Sequence, residues 1–314
     1  MDKKTLIVLA GPTAVGKTAL SINLAKALDA EIISADSVQV YKKLDIGSAK
    51  ITKEEMDGVA HHLIDVLEPD EDFNVAAFKD MVKAAIDKVH ANGHIPILAG
   101  GTGFYIQAVL KDVDFSSGES DPQIRESLEK EASQIGNEAM HDKLRAIDPE
   151  SAEAVPAGNL KRVIRALEYY QVTGKKISEH NAAEKDKESP YAYKYFVLND
   201  DRDKLYERID KRVDIMVKDG LVDEVKSLKD SGLSRDAISM QSLGYRQIMD
   251  YLYGDCDLDE AIFQIKLQTR HFAKRQLTWF RREKDTIWVN KPDFDYDDKR
   301  MLDFIIEKCK ELKD

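Results

Sequence analysis

The chain has 314 residues, 43% hydrophobic and 33% charged, which is ordinary soluble material for about two domains, or for one domain carrying a large insertion. Its 47 Lys and Arg against 58 Asp and Glu give a formal net charge of −11, which argues against a general nucleic-acid coat protein but permits a local basic surface. No apolar run approaches the roughly 20 residues of a membrane helix, the run at residues 6–10 is too short for a signal peptide, and Cys256 and Cys309 alone cannot frame a disulfide scaffold or a four-ligand zinc site.

Residues 5–9 are a short apolar run bounded by Gly11-Pro12, read as a strand. Apolar residues at 20, 24, 27 and 28 have helical spacing over 17–28. Residues 31–35 are a β-rich run ending at Asp36. Over 75–90, Phe78, Val82, Ala85 and Val89 share one helical face. Residues 95–99 read as a buried strand stopped by Gly100-Gly101. Strands alternating with helices predict a parallel sheet covered on both faces. The pattern changes near residue 112. Residues 114–121 are polar and turn-rich, and Asp121-Pro122 reads as a helix cap followed by Pro at the first helical position. Helices are then expected over 123–134, 138–147 and 160–173, the last ended by Gly174, with a charged linker over 182–189. Residues 193–198 return to a strand pattern, Asp200-Asp201 opens a helix running to Gly220, and a long helix covers 258–284. The acidic tail, 293–314, carries Met301, Ile305 and Cys309 at helical spacing. The expected fold class is α/β: a P-loop parallel-sheet core with helices on both faces (1–113 and 190–314) and an all-helical insertion domain (114–189).

Gly11, Pro12, Thr13, Ala14, Val15, Gly16, Lys17 and Thr18 match G-x-x-x-x-G-K-[ST], between a predicted strand and a predicted helix. Backbone N–H groups of such a loop curl around a diphosphate, and the helix N-terminus adds positive potential. Lys17 would neutralise phosphate oxygens and Thr18 would bind Mg²⁺. A chance match in a turn is the bland alternative. The usual ATPase carboxylate is missing, because the strand 95–99 ends in glycines. The strand 31–35 instead delivers Asp36 at the end of the sheet where ligands bind. Asp36 is open to three readings: general base, metal ligand or simple cap. Thr102, between Gly101 and Gly103, reads as a ligand contact or as a turn residue.

Two basic clusters stand out. Lys161, Arg162 and Arg165 share one helix side, with Val163, Leu167 and Tyr170 on another, and read as an anion contact or as a plain solvated face. Over 258–284, helical spacing projects Ile262, Ile265, Thr269, Phe272, Gln276, Trp279 and Phe280 to one side and Arg270, His271, Lys274, Arg275, Arg281 and Arg282 to the other. Residues 269–284 hold six Lys or Arg and one acid, a stripe suited to a phosphate backbone, with plain solvation as the alternative. Gln241, Ser242, Leu243, Gly244, Tyr245 and Arg246 carry groups that stack on and hydrogen-bond unpaired bases, or that serve as core and caps.

Taken together, these segments closely resemble the bacterial tRNA dimethylallyltransferase, or tRNA isopentenyltransferase, family. The match runs through residues 11–18, 36–41, 45–50, 100–105, 160–168, 241–246 and 269–281, collinear over nearly the whole chain. Ser48 departs from the family's usual Thr and keeps the hydroxyl. The resemblance implies transfer of a dimethylallyl group from dimethylallyl diphosphate to N6 of the adenosine 3′-adjacent to a tRNA anticodon. It implies that the phosphate loop, aided by Arg212, holds the prenyl diphosphate, with Mg²⁺ at Thr18. Asp36 would be the base on the adenine amine, with Thr102 beside the acceptor. It further implies tRNA contacts at Asp36, Ser37, Val38, Gln39, Thr102, Arg125, Leu160, Lys161, Arg162, Val163 and Ile164. The same holds for Gln241, Ser242, Leu243, Gly244, Tyr245 and Arg246, and for Ala273, Lys274, Arg275, Gln276, Leu277, Thr278, Trp279 and Phe280. A cytoplasmic monomer that grips the anticodon stem-loop is expected, with no membrane partner. Three alternatives remain: a P-loop small-molecule kinase, an RNA-associated switch NTPase, and a prenyltransferase acting on free adenine nucleotides.

Overall fold

The computed structural model describes residues 3–115, 121–185 and 187–312. Residues 116–120 of the polar stretch, residue 186 of the charged linker and residues 313–314 of the tail lie outside the described residues. The chain divides into two compact units, residues 1–109 with 190–314, and residues 110–189.

The first unit begins with β1 (Lys4–Ala10), α1 (Lys17–Leu28), β2 (Ala30–Ala35), α2 (Lys53–Met56), β3 (His61–His62), α3 (Val75–Ala91), β4 (Ile95–Gly100) and α4 (Gly103–Leu110). The strands form one six-stranded sheet in the order β3-β2-β4-β1-β5-β6, with β5 at Tyr191–Asn199 and β6 at Thr286–Asn290. Every pair is parallel, with Leu9 opposite Ala99 on one side and Phe196 on the other. Side chains alternate across a strand, yet Leu6 to Ala10 are all buried. Both faces are therefore covered. Ile7, Leu9, Ile32, Ile97, Phe196 and Leu198 pack with Leu20 and Leu24 of α1 and with Met301 and Ile305 near the C-terminus. The alternating Leu6, Val8, Ile33 and Leu98 point to the other face, and α3 packs on β2 and β4 with Phe78, Val82, Ile86 and Val89 buried.

The second unit is all helical among its described residues. It contains α5 (Pro122–Ile147), α6 (Pro149–Ala154), α7 (Leu160–Thr173) and α8 (Ile177–Lys185). Asp121 caps α5 through Gln123 and Ile124 N–H, and Gly136 (φ 82) breaks α5 between the two helices the sequence predicts there. Leu128, Met140, Leu144, Val163, Ile164 and Leu167 form its core. Burial alone would raise the Asp148 carboxyl, but four hydrogen bonds from Ser151 and Ser178 hold it below the usual range. The predicted linker 182–189 is helical through residue 185.

The first unit resumes after β5 with α9 (Arg202–Lys218), α10 (Leu221–Asp230), α11 (Tyr245–Tyr253), α12 (Leu258–Phe280), β6 and α13 (Asp298–Lys310). The helix predicted to reach residue 284 stops at 280, so Arg281, Arg282 and Lys284 follow it in the turn before β6. The buried stripe of α12 is Ala261, Ile265, Thr269, Ala273, Gln276 and Phe280. Phe272, expected on that stripe, is instead exposed. β3, two residues long, is too short to show periodicity, and β6 is likewise not anticipated from sequence.

Candidate active site

The C-terminal ends of β1, β2 and β4 bring the phosphate loop, Asp36 and the Gly100-Gly101-Thr102 turn together around one cavity of about 550 Å³. This is where an open parallel sheet binds ligands. The cavity lies wholly within the first unit.

The loop's backbone is set by residues able to take left-handed geometry. Gly16 caps α1 at φ 98, which suits glycine. Ala14 also sits at φ 61 and is held there, because Arg208 of α9 donates Nε–H to its carbonyl at 3.0 Å. Lys17 Nζ donates to the carbonyls of Gly11 (2.9 Å) and Pro12 (2.8 Å), leaving one of its three N–H groups for a ligand. Burial chiefly, and then the positive Arg212, lower the Lys17 ammonium to about 8, with Asp36 opposing. Arg212, one turn after Arg208 on α9, lines the cavity and is itself lowered by burial and by Arg208. Two cations thus converge where a diphosphate would add compensating charge.

Asp36 follows β2 directly. Its Oδ1 accepts N–H from Val38 (2.8 Å) and Gln39 (3.2 Å), closing a turn and leaving Oδ2 outside it. Thr102 opens α4, its carbonyl accepting N–H from Tyr105 and Ile106 while its side chain lines the cavity. The wall beyond these polar groups is apolar, built from Ile51, Ile64, Ile209, Val213, Met216 and Ile265. Thr18, exposed at the first turn of α1, also lines the cavity. Among the described residues no three His, Cys, Asp or Glu cluster as a metal cage. A Mg²⁺ carried largely by substrate phosphates and water needs only one or two protein oxygens, and Thr18 fits that role.

The remaining predicted contacts divide by burial. Lys161, Arg162, Gln241, Arg246, Lys274, Arg275 and Thr278 are exposed, and Ser37, Leu160, Ser242, Leu243, Leu277 and Trp279 are partly so. Val163, Ile164, Tyr245, Ala273, Gln276 and Phe280 are buried within their own units, and Gln276 also lines the cavity. Gln39 spends its amide within the unit, donating to the Ser48 (3.3 Å) and Ala49 (3.2 Å) carbonyls. Arg270, expected on the basic face, turns to α9 and pairs with Asp210 at 2.8 and 3.0 Å. In the second unit Arg125 and Arg165 both reach the buried carboxylate of Glu168, at 2.7 and 3.3 Å.

Arg208 and Glu224, which organise the site, escape sequence reasoning, and Gln276 enters it only as an implied tRNA contact. Arg208 grips the phosphate loop, as described. Gln276 hydrogen-bonds both the loop and the Thr102 turn. Glu224 of α10 accepts backbone N–H from Asp45 (3.0 Å), Ile46 (2.8 Å) and Gly47 (3.1 Å) and the Tyr245 hydroxyl (2.6 Å). It thereby ties the 45–50 loop to the start of α11. Burial first, and then Glu224, push the Tyr245 hydroxyl far above its usual range. Only the one-turn spacing of Arg208 and Arg212 offers a sequence signal. A glutamate in an amphipathic helix carries none.

The IPP transferase family model matches residues 39–283. The chain belongs to this family. A tRNA dimethylallyltransferase from Lachnoclostridium phytofermentans is 56% identical over 292 residues, covering 93% of each protein. Among solved structures, the full-length tRNA isopentenylpyrophosphate transferase of Bacillus halodurans superposes with TM-score 0.74 at 45% identity, covering 99% of this chain and 98% of that one. A tRNA isopentenylpyrophosphate transferase from Staphylococcus epidermidis gives TM-score 0.73 at 39% identity, covering 98% and 99%. A eukaryotic dimethylallyltransferase acting on tRNA gives TM-score 0.78 at 29% identity, over 91% of this chain and 74% of that one. Nothing in these comparisons supports the kinase alternative for this IPP transferase family member. No helix among its described residues is long and apolar enough to cross a membrane.

Proposed function

We propose that this chain transfers a dimethylallyl group from dimethylallyl diphosphate to N6 of the adenosine 3′-adjacent to a tRNA anticodon, releasing diphosphate. The observation that carries the reading is one cavity in which a phosphate loop, a strand-end carboxylate and an apolar wall meet. A diphosphate seats on the N–H groups at the start of α1, with Lys17 and Arg212 on its oxygens. The prenyl tail lies against Ile209, Val213 and Met216. Thr18 and the diphosphate would hold Mg²⁺, which when bound neutralises part of the leaving group's charge. The adenine amine is a poor nucleophile, its lone pair delocalised into the ring. Asp36 Oδ2 accepts a hydrogen bond from it and then the proton. The allylic C–O bond breaks as the N6–C bond forms, and the electron pair leaves on diphosphate. The target base must be out of its stack to reach Asp36 and Thr102.

Lys161 and Arg162 in one unit, and Arg246, Lys274 and Arg275 in the other, supply cations for the RNA backbone. The protein works as a monomer in the cytoplasm. Incubation with dimethylallyl diphosphate, Mg²⁺ and undermodified tRNA, followed by mass analysis of the nucleosides, should yield prenylated adenosine. AMP as acceptor and labelled ATP as donor serve as controls. Prenylation of AMP alone, phosphoryl transfer to a metabolite, or tRNA-stimulated ATP hydrolysis without prenylation would overturn the proposal.

A further inference from the structure

Beyond the pairing of β1 with β4, one side chain hydrogen-bonds both sides of the cavity. Gln276 on α12 is 6% exposed. Its Oε1 accepts the Thr13 N–H of the phosphate loop at 2.9 Å, and its Nε2 donates to the Gly101 carbonyl at 2.9 Å. Both ends of a buried amide are thus satisfied by backbone from different strand ends, which fixes its orientation. The approach depends on Gly101, where an added Cβ would come within 2.3 Å of Nε2. One turn on, Trp279 packs on Gly103, whose Cβ would lie 2.2 Å from Cδ1 of the indole. Thr102 is therefore bracketed by two contacts from α12. The neighbouring Lys274 and Arg275 point outward from the same helix.

We propose that Gln276 is a positioning residue that sets the distance between the diphosphate loop and the acceptor-side turn carrying Thr102. Its amide is spent on the Thr13 N–H and the Gly101 carbonyl, so it acts through those two segments. Group transfer needs the electrophilic allylic carbon and the attacking nitrogen at near-contact distance, and a displacement of about 1 Å costs on the order of 100-fold in rate. A link that spans both supports controls that distance directly.

The inference rests on the prenyl-transfer reading, so its test carries one readout that needs no turnover. Gln276→Met keeps length and volume but removes both hydrogen bonds. Hydrogen–deuterium exchange should show residues 11–16 and 100–103 exchanging faster together in this variant. At saturating substrates kcat should fall about 10- to 100-fold, while tRNA affinity measured without donor stays within about twofold. Gln276→Glu supplies a rescue. When protonated, its carboxyl accepts from Thr13 and donates to Gly101, so its rate relative to the parent should rise as pH falls. An unchanged kcat in Gln276→Met, a loss confined to tRNA affinity, or exchange rising in only one segment overturns the proposal. A parent chain that prenylates no tRNA, with joint exchange intact, would refute the functional reading and leave the clamp standing.

Discussion

Replacing Glu224 with Gln tests how the 45–50 loop that lines the cavity is held. The carboxylate accepts four hydrogen bonds: Oε2 takes Asp45 and Ile46 N–H, and Oε1 takes Gly47 N–H and the Tyr245 hydroxyl. An amide keeps one acceptor oxygen and turns two donors toward two donors. With Oε on the Asp45 and Ile46 side, two bonds are lost. Hydrogen bonds to a charged acceptor contribute about 1.5–3 kcal/mol each. Glu224 is partly exposed, so water re-solvates the freed groups and the lower end applies, giving a loss of about 3 kcal/mol. Tyr245→Phe removes one of the same bonds and should cost about 1.5 kcal/mol. The double variant should also lose about 3 kcal/mol, because the Tyr245 bond is already gone in Glu224→Gln, a coupling of about 1.5 kcal/mol. Both tryptophans, Trp279 and Trp288, lie in the first unit, so fluorescence-detected urea unfolding reads the relevant transition. A Glu224→Gln protein within about 0.5 kcal/mol of the parent would refute the four-bond account, as would strict additivity in the double variant.

Four further outcomes are expected. Asp36→Asn keeps an acceptor for the Val38 and Gln39 N–H groups while removing the base, so turnover should fall by at least about 100-fold with tRNA affinity retained; collapsed tRNA binding would make Asp36 an RNA anchor instead. Lys17 at about 8 is charged below that pH, so kcat/KM for the prenyl donor should fall as pH rises through about 8, and Lys17→Arg should remove that alkaline limb; a level profile in the parent would contradict the assignment. Arg275→Ala should weaken tRNA binding and reduce its salt slope by about one, and an unchanged slope would place the basic contact elsewhere. Gly103→Ala should force the Trp279 indole aside and cost about 1–3 kcal/mol in urea unfolding; unchanged stability would show that the contact is loose.

The alternation of strand and helix in the first hundred residues is readable because parallel strands buried on both faces appear as unbroken apolar runs, as in residues 6–10. The break at residue 112 is equally plain, since turn chemistry and capping Asp121-Pro122 replace that rhythm. Burial within α12 is less readable. Small residues such as Ala261 and Ala273 line the closest approach to the rest of the unit, where a larger side chain would not fit, so hydrophobicity shifts the inferred stripe by one residue toward Ile262 and Phe272. The polar half of the site divides in the same way. Lys17, Thr18, Asp36 and Thr102 lie next to strand ends and their motifs locate them. Glu224, Arg208 and Gln276 reach the site across long sequence separations, and only the folded chain brings them to Asp45, Ala14 and Thr13. Gln276 illustrates the risk of inference by segment: it stands among exposed basic neighbours but faces inward.

The placement of the second unit in the chain also dictates the order of synthesis. β1 lies between β4 and β5. β4 is complete at residue 100, but β5 begins at Tyr191, after the 80 residues of the second unit. A ribosome adding about 5–20 residues per second takes roughly 4–16 s to traverse them. Throughout that interval the apolar strand Lys4–Ala10 has one hydrogen-bonding edge with no partner, and the phosphate loop lacks Leu198, Arg208 and Gln276. A nascent chain stalled there presents the kind of strand edge that recruits other strands, so the insertion that enlarges the protein also lengthens the time for which that edge stands open.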